Sequence, residues 1–318
     1  MLIIFERILA IFIMILIGYA ANRAGILPDL SRKHLTNLMI YITAPCMAAE
    51  SIYSKELSPE VVTATWQVII GAAVYFVIIT IFAYVFVRAL KFKPKKEWGV
   101  YVVAITCINS GFMGFPVTKA IFGDDLFYLM VMHNIIAVFY IWSITPMLLN
   151  IGTEKGEGGK SRFAENIKAM FNPCTFGIII GVIMLIFGIK PPTAVDEVVA
   201  SLSDATVPIS MIIVGVQLGS SHIIEMLKNR YIFLVNIAAM IISPVLTFLI
   251  VEQFDFLQTG VKVILIFASV FPTAVVPAAI AEKMGKDPTR LAEIVSVTTA
   301  FSLITIPLIS AFLMGYYY

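Results

Sequence analysis

The sequence predicts an all-α polytopic membrane protein: ten transmembrane helices in two five-helix inverted repeats, with the fourth and ninth helices broken at their centres. Three observations predict it. Of 318 residues, 60% are apolar and only 13% charged, where soluble domains run at about 45–50% and about 25%; mean hydropathy is +0.95. Apolar runs of roughly 20 residues, long enough to cross the bilayer core as helices, follow one another along the chain. One hydrophilic stretch divides them five and five, and because five is odd the two halves must enter the membrane with opposite orientation. Net charge is +2, so there is no basic field to attract nucleic acid, and no nucleic-acid partner is expected.

Reading the apolar runs against turn and charge clusters places the spans at 2–21, 35–53, 61–88, 98–122, 126–150, 173–189, 195–219, 231–251, 259–284 and 289–314. The runs are continuous and lack period-2 alternation, which selects helices over a barrel. The first run starts at Leu2 with no basic leader and no clear cleavage signal, so it reads as a span and not as a removable signal peptide. Residues 1–151 form the first repeat, 152–172 a cytoplasmic linker and 173–318 the second repeat. The linker contains Gly156-Glu157-Gly158-Gly159-Lys160-Ser161, which imitates a phosphate-binding loop only in part. That loop needs glycine at 154, where Glu154 stands, and a preceding strand.

Lys and Arg set the orientation. Of 22 such residues, 17 fall in the odd-numbered loops, including Arg88, Lys91, Lys93, Lys95 and Lys96 after span three and Lys155, Lys160, Arg162 and Lys168 in the linker. Arg7, Lys55, Lys119, Lys190 and Lys262 make up the other side. The odd loops therefore face the cytoplasm, both termini face outward, and Tyr316-Tyr317-Tyr318 joins the outer aromatic belt. Cys46, Cys107 and Cys174 lie in apolar runs without paired spacing and read as buried thiols.

The chemistry concentrates where spans four and nine are interrupted. Span four carries Asn109-Ser110-Gly111 near its midpoint, a poor helix interior and a good N-cap. Asn109 or Ser110 is expected to cap a restarted outer half-helix. In span nine, Pro272-Thr273 interrupts at a similar depth, since proline lacks the N–H and clashes with the preceding turn. Pro116 and Pro277 follow as helix-breaking structural residues. Thr43-Ala44-Pro45 and Thr206-Val207-Pro208 recur midway along spans two and seven, a weak sign of internal repetition. Span four runs outward and span nine inward, so both restarted halves would aim their N-terminal ends at one region. Two such ends, with unpaired N–H groups, make an anion site without a buried Lys or Arg, and matched interruptions of this kind point to a transporter's binding site.

These residues carry a family resemblance. Asn109-Ser110-Gly111-Phe112-Met113-Gly114-Phe115-Pro116 with Lys119-Ala120 and Gly123 resembles the fourth span of the auxin efflux carrier family. Phe271-Pro272-Thr273-Ala274-Val275-Val276-Pro277 with Ala281-Glu282-Lys283 resembles its ninth, and Ser203-Asp204-Ala205 and Pro45 match its pattern in spans seven and two. The resemblance runs the length of the chain and implies a bacterial-type permease in which broken helices four and nine cross. It implies that the substrate carboxylate sits at the crossing while a transport domain slides against a scaffold of the outer spans. By matched position Asn109 would bond the carboxylate, with Ser110 and Gly111 beside it and Pro272, Thr273 and the backbone around Val275 and Val276 opposite. Plant members place proline directly before the asparagine; Ile108 stands there in this chain. The fold implied is also similar to that of bile-acid sodium symporters, which hold sodium with a carboxylate on span nine. Residues 268–277 contain no acidic side chain, which argues against sodium coupling there.

Asp204 in span seven and His133 in span five are ionisable groups at membrane depth and candidate proton or ion sites. For each a plainer reading stands beside it: Ser203 and Thr206 could hydrogen-bond Asp204, and a neighbouring helix carbonyl could hold His133. Glu50, Lys119, Glu282 and Glu293 fall near span ends and read as interfacial. Ser296, Thr298, Thr299, Ser302 and Thr305 recur at helical spacing in span ten and read as helix packing. His34, His133 and His222 show no ligand spacing, so no metal is expected. No nucleophile motif surrounds Ser110, so no catalytic residue and no cofactor are expected. The expectation is an inner-membrane carrier of a small organic anion in contact with the lipid bilayer. A membrane sensor that binds such a ligand on a transporter fold without moving it is the alternative, and the sequence leaves a homodimer open.

Overall fold

A computed structural model describes residues 2–153 and 170–318. The linker expected at 152–172, with Lys155, Lys160, Arg162 and Lys168, falls almost entirely outside the described residues. Among these residues every regular element is helical, and the extended backbone contributes one isolated bridge. Five helices are long and apolar enough to cross a membrane: Pro59–Ala89, Asp124–Ser143, Thr193–Gly219, Arg230–Val251 and Thr289–Tyr317. Pro173–Phe187 and Thr259–Ala268 are shorter apolar helices.

Span one is α1 (Leu2–Arg23). Span two divides into α2 (Asp29–Leu38) and α3 (Ala44–Tyr53), with a π-helical turn over Met39–Thr43 between them. Span three is α4 (Pro59–Ala89), opened by the Ser58 side chain, which accepts from the Val61 N–H. Span four becomes α5 (Trp98–Thr106) and α6 (Phe115–Phe122), and span five becomes α7 (Asp124–Ser143) with the short α8 (Thr145–Leu148). The second half continues with α9 (Pro173–Phe187), α10 (Thr193–Gly219), α11 (Ile223–Leu227), α12 (Arg230–Ile237) and α13 (Ser243–Val251). It ends with α14 (Thr259–Ala268), α15 (Val276–Lys283) and α16 (Thr289–Tyr317).

The π-helical turns have a common cause. Those at Met39–Thr43, Ser110–Gly114 and Ala238–Ile242 each run into a helix with proline in its first turn: Pro45, Pro116 and Pro244. Proline cannot donate the i→i−4 bond and its ring crowds the carbonyl one turn back, so the preceding turn widens. Pro208 behaves differently. It lies inside α10, which continues through it, so the likeness between Thr43-Ala44-Pro45 and Thr206-Val207-Pro208 does not extend to backbone geometry.

The helices pack as two groups. One consists of α1, α2, α3, α9 and α10; the other is built around α4, α5, α7 and α12 to α16. The first is held by close backbone approach. A Cβ on Gly215 would lie 2.1 Å from the Ile15 carbonyl oxygen, and one on Gly177 would lie 2.3 Å from that of Pro45. Small residues serve in this way where lipid removes the hydrophobic drive between helices. The half-helix α6 joins the two groups, touching α1 and α10 on one side and α7 on the other.

Candidate functional site

The two interruptions meet. Past Thr106 the chain turns extended at Cys107, and past α14 it stays non-helical until Val275. The two segments run antiparallel: the Asn109 N–H donates to the Pro272 carbonyl at 2.8 Å and the Ala274 N–H to the Cys107 carbonyl at 2.7 Å. A broken helix leaves backbone groups without partners, a cost of several kcal/mol each in a medium without water. Each break supplies partners for the other. Thr273 extends the exchange: its hydroxyl donates to the Ala104 carbonyl at 2.7 Å, and its own N–H donates to the Thr298 hydroxyl at 3.2 Å.

Beside this bridge stand donors that it does not use. After Asn109 the first amides with main-chain acceptors are those of Met113 and Gly114, both donating to the Asn109 carbonyl at 3.3 and 3.0 Å. In the other break the Ala278 N–H reaches the Val275 carbonyl at 3.1 Å. The amides ahead of these belong to Ser110, Gly111 and Phe112, and to Val275 and Val276; among the described residues they are the open first-turn groups that carry the positive end of a helix. Neither Asn109 nor Val275 caps its helix through a side chain, so the capping expected of Asn109 or Ser110 is corrected. The Ser110 hydroxyl instead donates to the Asn134 side-chain Oδ1 at 2.8 Å. The Asn109 carboxamide is half-buried and has no hydrogen bond among the described residues.

Of the residues expected at the site, Ser110, Pro272 and Thr273 are buried, and Asn109 and Gly111 are half-buried. Val275 and Val276 are open, at 48% and 36% exposure. Pro277 lies in the first turn of α15, where the missing N–H costs nothing, and Pro116 follows the widened turn over Ser110–Gly114.

A family model described as "Membrane transport protein" matches residues 3–310. The chain belongs to that family. It is 27% identical to an uncharacterized transporter of Methanothermobacter thermautotrophicus, over 97% of this chain and 98% of the relative. It is also 27% identical to an uncharacterized transporter of Methanocaldococcus jannaschii, over 95% of this chain and 96% of the relative. The auxin efflux carrier resemblance carried by spans four and nine is a resemblance to this same family.

In this membrane transport protein the remaining polar candidates separate from the crossing. Asp204 lies with Lys119, whose amino group donates to Glu50 Oε2 at 3.2 Å and to the Ser203 hydroxyl at 3.1 Å. It also lies 3.5 Å from Asp204 and 3.8 Å from Asp124. The hydrogen bonds expected from Ser203 and Thr206 to Asp204 are therefore replaced by an ion pair. Lys119 is not a free interfacial side chain: it ties α6 to α3 and α10. His133 is fully buried against Tyr75 and Phe76, and among the described residues neither ring nitrogen has a partner. The carbonyl bond expected for it is absent, although its neighbour Asn134 holds Ser110.

Sequence reasoning missed Thr298 as a member of the crossing. Its only signal was a hydroxyl at helical spacing in span ten, which nothing local tells apart from Ser296 or Thr305. The same is true of Lys119, whose partners lie on three other segments.

Proposed function

We propose that this transporter carries a small organic carboxylate anion across the inner membrane through the crossing of its two broken helices. The observation that supports this most is the open Asn109 carboxamide beside the Ile108–Thr273 bridge, flanked by the unpaired first-turn amides of Ser110–Phe112 and of Val275 and Val276. A carboxylate there would receive charge-assisted hydrogen bonds from Asn109 and from helix N-terminal amides, with no need of a buried arginine. Half-helix ends aimed at an anionic group near the midplane are how broken-helix carriers hold such substrates.

The reading extends to architecture. Ten spans form two five-helix inverted repeats, residues 1–151 and 173–318 joined by the 152–172 linker, with both termini outside. The group formed by α1, α2, α3, α9 and α10 serves as scaffold, and the group that holds the crossing moves against it in an elevator-like alternating-access cycle. Export of one negative charge gains about 2.3 kcal/mol per 100 mV of inside-negative potential, so outward movement requires no coupling ion.

Reconstituted vesicles test the reading. A panel of radiolabelled mono- and dicarboxylates is offered to the wild type and to Asn109→Ala; saturable flux of at least one acid, lost in the variant, is the expected result. Ligand-induced stabilisation without flux for any acid would refute transport by this site.

A further inference from the structure

The far end of α4 carries a site of different chemistry. The last turn of α4, the turn over Lys95–Glu97 and residues 151–153 enclose a cavity of about 840 Å³ lined by Tyr84, Arg88, Lys95, Lys96 and Trp98. Its back wall is fixed by backbone. Gly152 has φ +84°, and a Cβ there would lie 2.0 Å from the Lys95 carbonyl oxygen, while the Gly99 N–H donates to the Ile151 carbonyl at 3.2 Å.

Among the described residues the cavity is basic and uncompensated. Arg88 meets the Tyr84 hydroxyl, at 3.4 Å, and the Lys95 ammonium lies 5.7 Å over the Trp98 ring. Among the described residues none of Arg88, Lys95 and Lys96 has a carboxylate partner. The carboxylate of the turn itself, Glu97, is drawn away to the Tyr101 hydroxyl at 2.7 Å and to Arg290 at 3.5 Å.

A second, independent feature gives the ligand its shape. Val74, Val77, Ile81 and Val85 are exposed on one face of α4 and lead along the helix to Arg88. A basic cavity flanked by a tryptophan and a tyrosine, at the head of an apolar stripe on a membrane-spanning helix, fits a molecule with an anionic head and hydrocarbon tails. We propose that this cavity binds the headgroup of an anionic phospholipid, with the acyl chains laid along α4. The proposal depends on the chain spanning a membrane and not on the nature of the transported substrate.

The test uses the purified full chain in detergent, with lipid added as phosphatidylglycerol or phosphatidylcholine and with inorganic phosphate as a third arm. Phosphatidylglycerol is expected to raise Tm by about 3 °C more than phosphatidylcholine. Arg88→Gln/Lys95→Gln/Lys96→Gln loses more than half of that difference. Arg23→Gln/Arg32→Gln/Lys33→Gln, which removes the same charge elsewhere, keeps it. Equal loss in both triples would reduce the effect to general surface charge, and an equal gain with inorganic phosphate would make the cavity a free-anion site; either overturns the proposal. Should the first triple not fold, mass spectrometry of the intact wild type decides. Retention of about one phosphatidylglycerol per chain from a mixed-lipid extract supports the site, and equal retention of phosphatidylcholine overturns it.

Discussion

The main-chain N–H of Asn109 donates to the carbonyl of Pro272 at 2.8 Å, joining residues 163 positions apart at the point where each one's helix is broken. The bond engages the backbone of Asn109 and leaves its carboxamide open. The structural bond and the ligand-binding role proposed for Asn109 thus fall on different atoms of one residue, and they can be tested separately.

Asn109→Ala keeps the backbone bond and removes an amide that has no partner among the described residues. Tm is expected to change by no more than about 2 °C, the range of a substitution that disturbs no packing. Carboxylate affinity is expected to fall about 10–100-fold, the loss of a hydrogen bond to a charged group. Thermal melting with and without the transported acid measures both. Unchanged affinity removes Asn109 from the site.

Thr273→Val deletes the hydroxyl that reaches Ala104 and strands a buried carbonyl, at a cost of about 1–3 kcal/mol. Thr298→Val strands the Thr273 N–H instead and is expected to cost a similar amount. Because both act on one bridge, the double variant should cost less than the sum. Denaturation of the three variants in mild detergent, followed by tryptophan fluorescence, reads the coupling; strict additivity would mean that the two hydroxyls work independently.

Lys119 has 17% side-chain exposure and Glu50 24%, so removing one leaves the other charged and poorly solvated. Lys119→Met is expected to destabilise by about 1–3 kcal/mol, and adding Glu50→Gln should recover part of that loss. Melting temperatures of the single and double variants check this. No recovery in the double variant would show that the lysine matters through Ser203 or Asp204 instead.

Gly215→Ala places a methyl group against the Ile15 carbonyl oxygen and should force α1 and α10 apart, costing about 1–3 kcal/mol. Gly315→Ala, at a position with open space around it, should be neutral. Comparable losses at both positions would assign the effect to glycine chemistry in general and not to the contact between α1 and α10.

The helices and the places where they break were legible because their causes are local. Apolar runs mark helices wherever lipid excludes every other backbone solution, and Asn109-Ser110-Gly111 and Pro272-Thr273 disfavour helix within a single turn. Local signals also misled. Pro45 follows a widened turn while Pro208 sits within a continuous helix, so the shared local pattern does not fix the backbone. Ser203 and Thr206 are the local partners the sequence offers Asp204, but the structure pairs it with Lys119. A neighbouring carbonyl is the plainer expectation for His133, but among the described residues neither ring nitrogen has a partner.

By itself the sequence determined the membrane class, the position of the interruptions and, through spans four and nine, the family. All of these depend on side chains within a turn or two of each other. The tertiary structure alone decided that the interruptions complete one another, that Thr298 rather than Thr305 serves the crossing, and that Lys119 spans two packing groups. Each of these is a contact between segments far apart in sequence. Inside a membrane such contacts follow from the cost of leaving a freed donor, acceptor or charge without a partner, wherever along the chain that partner lies.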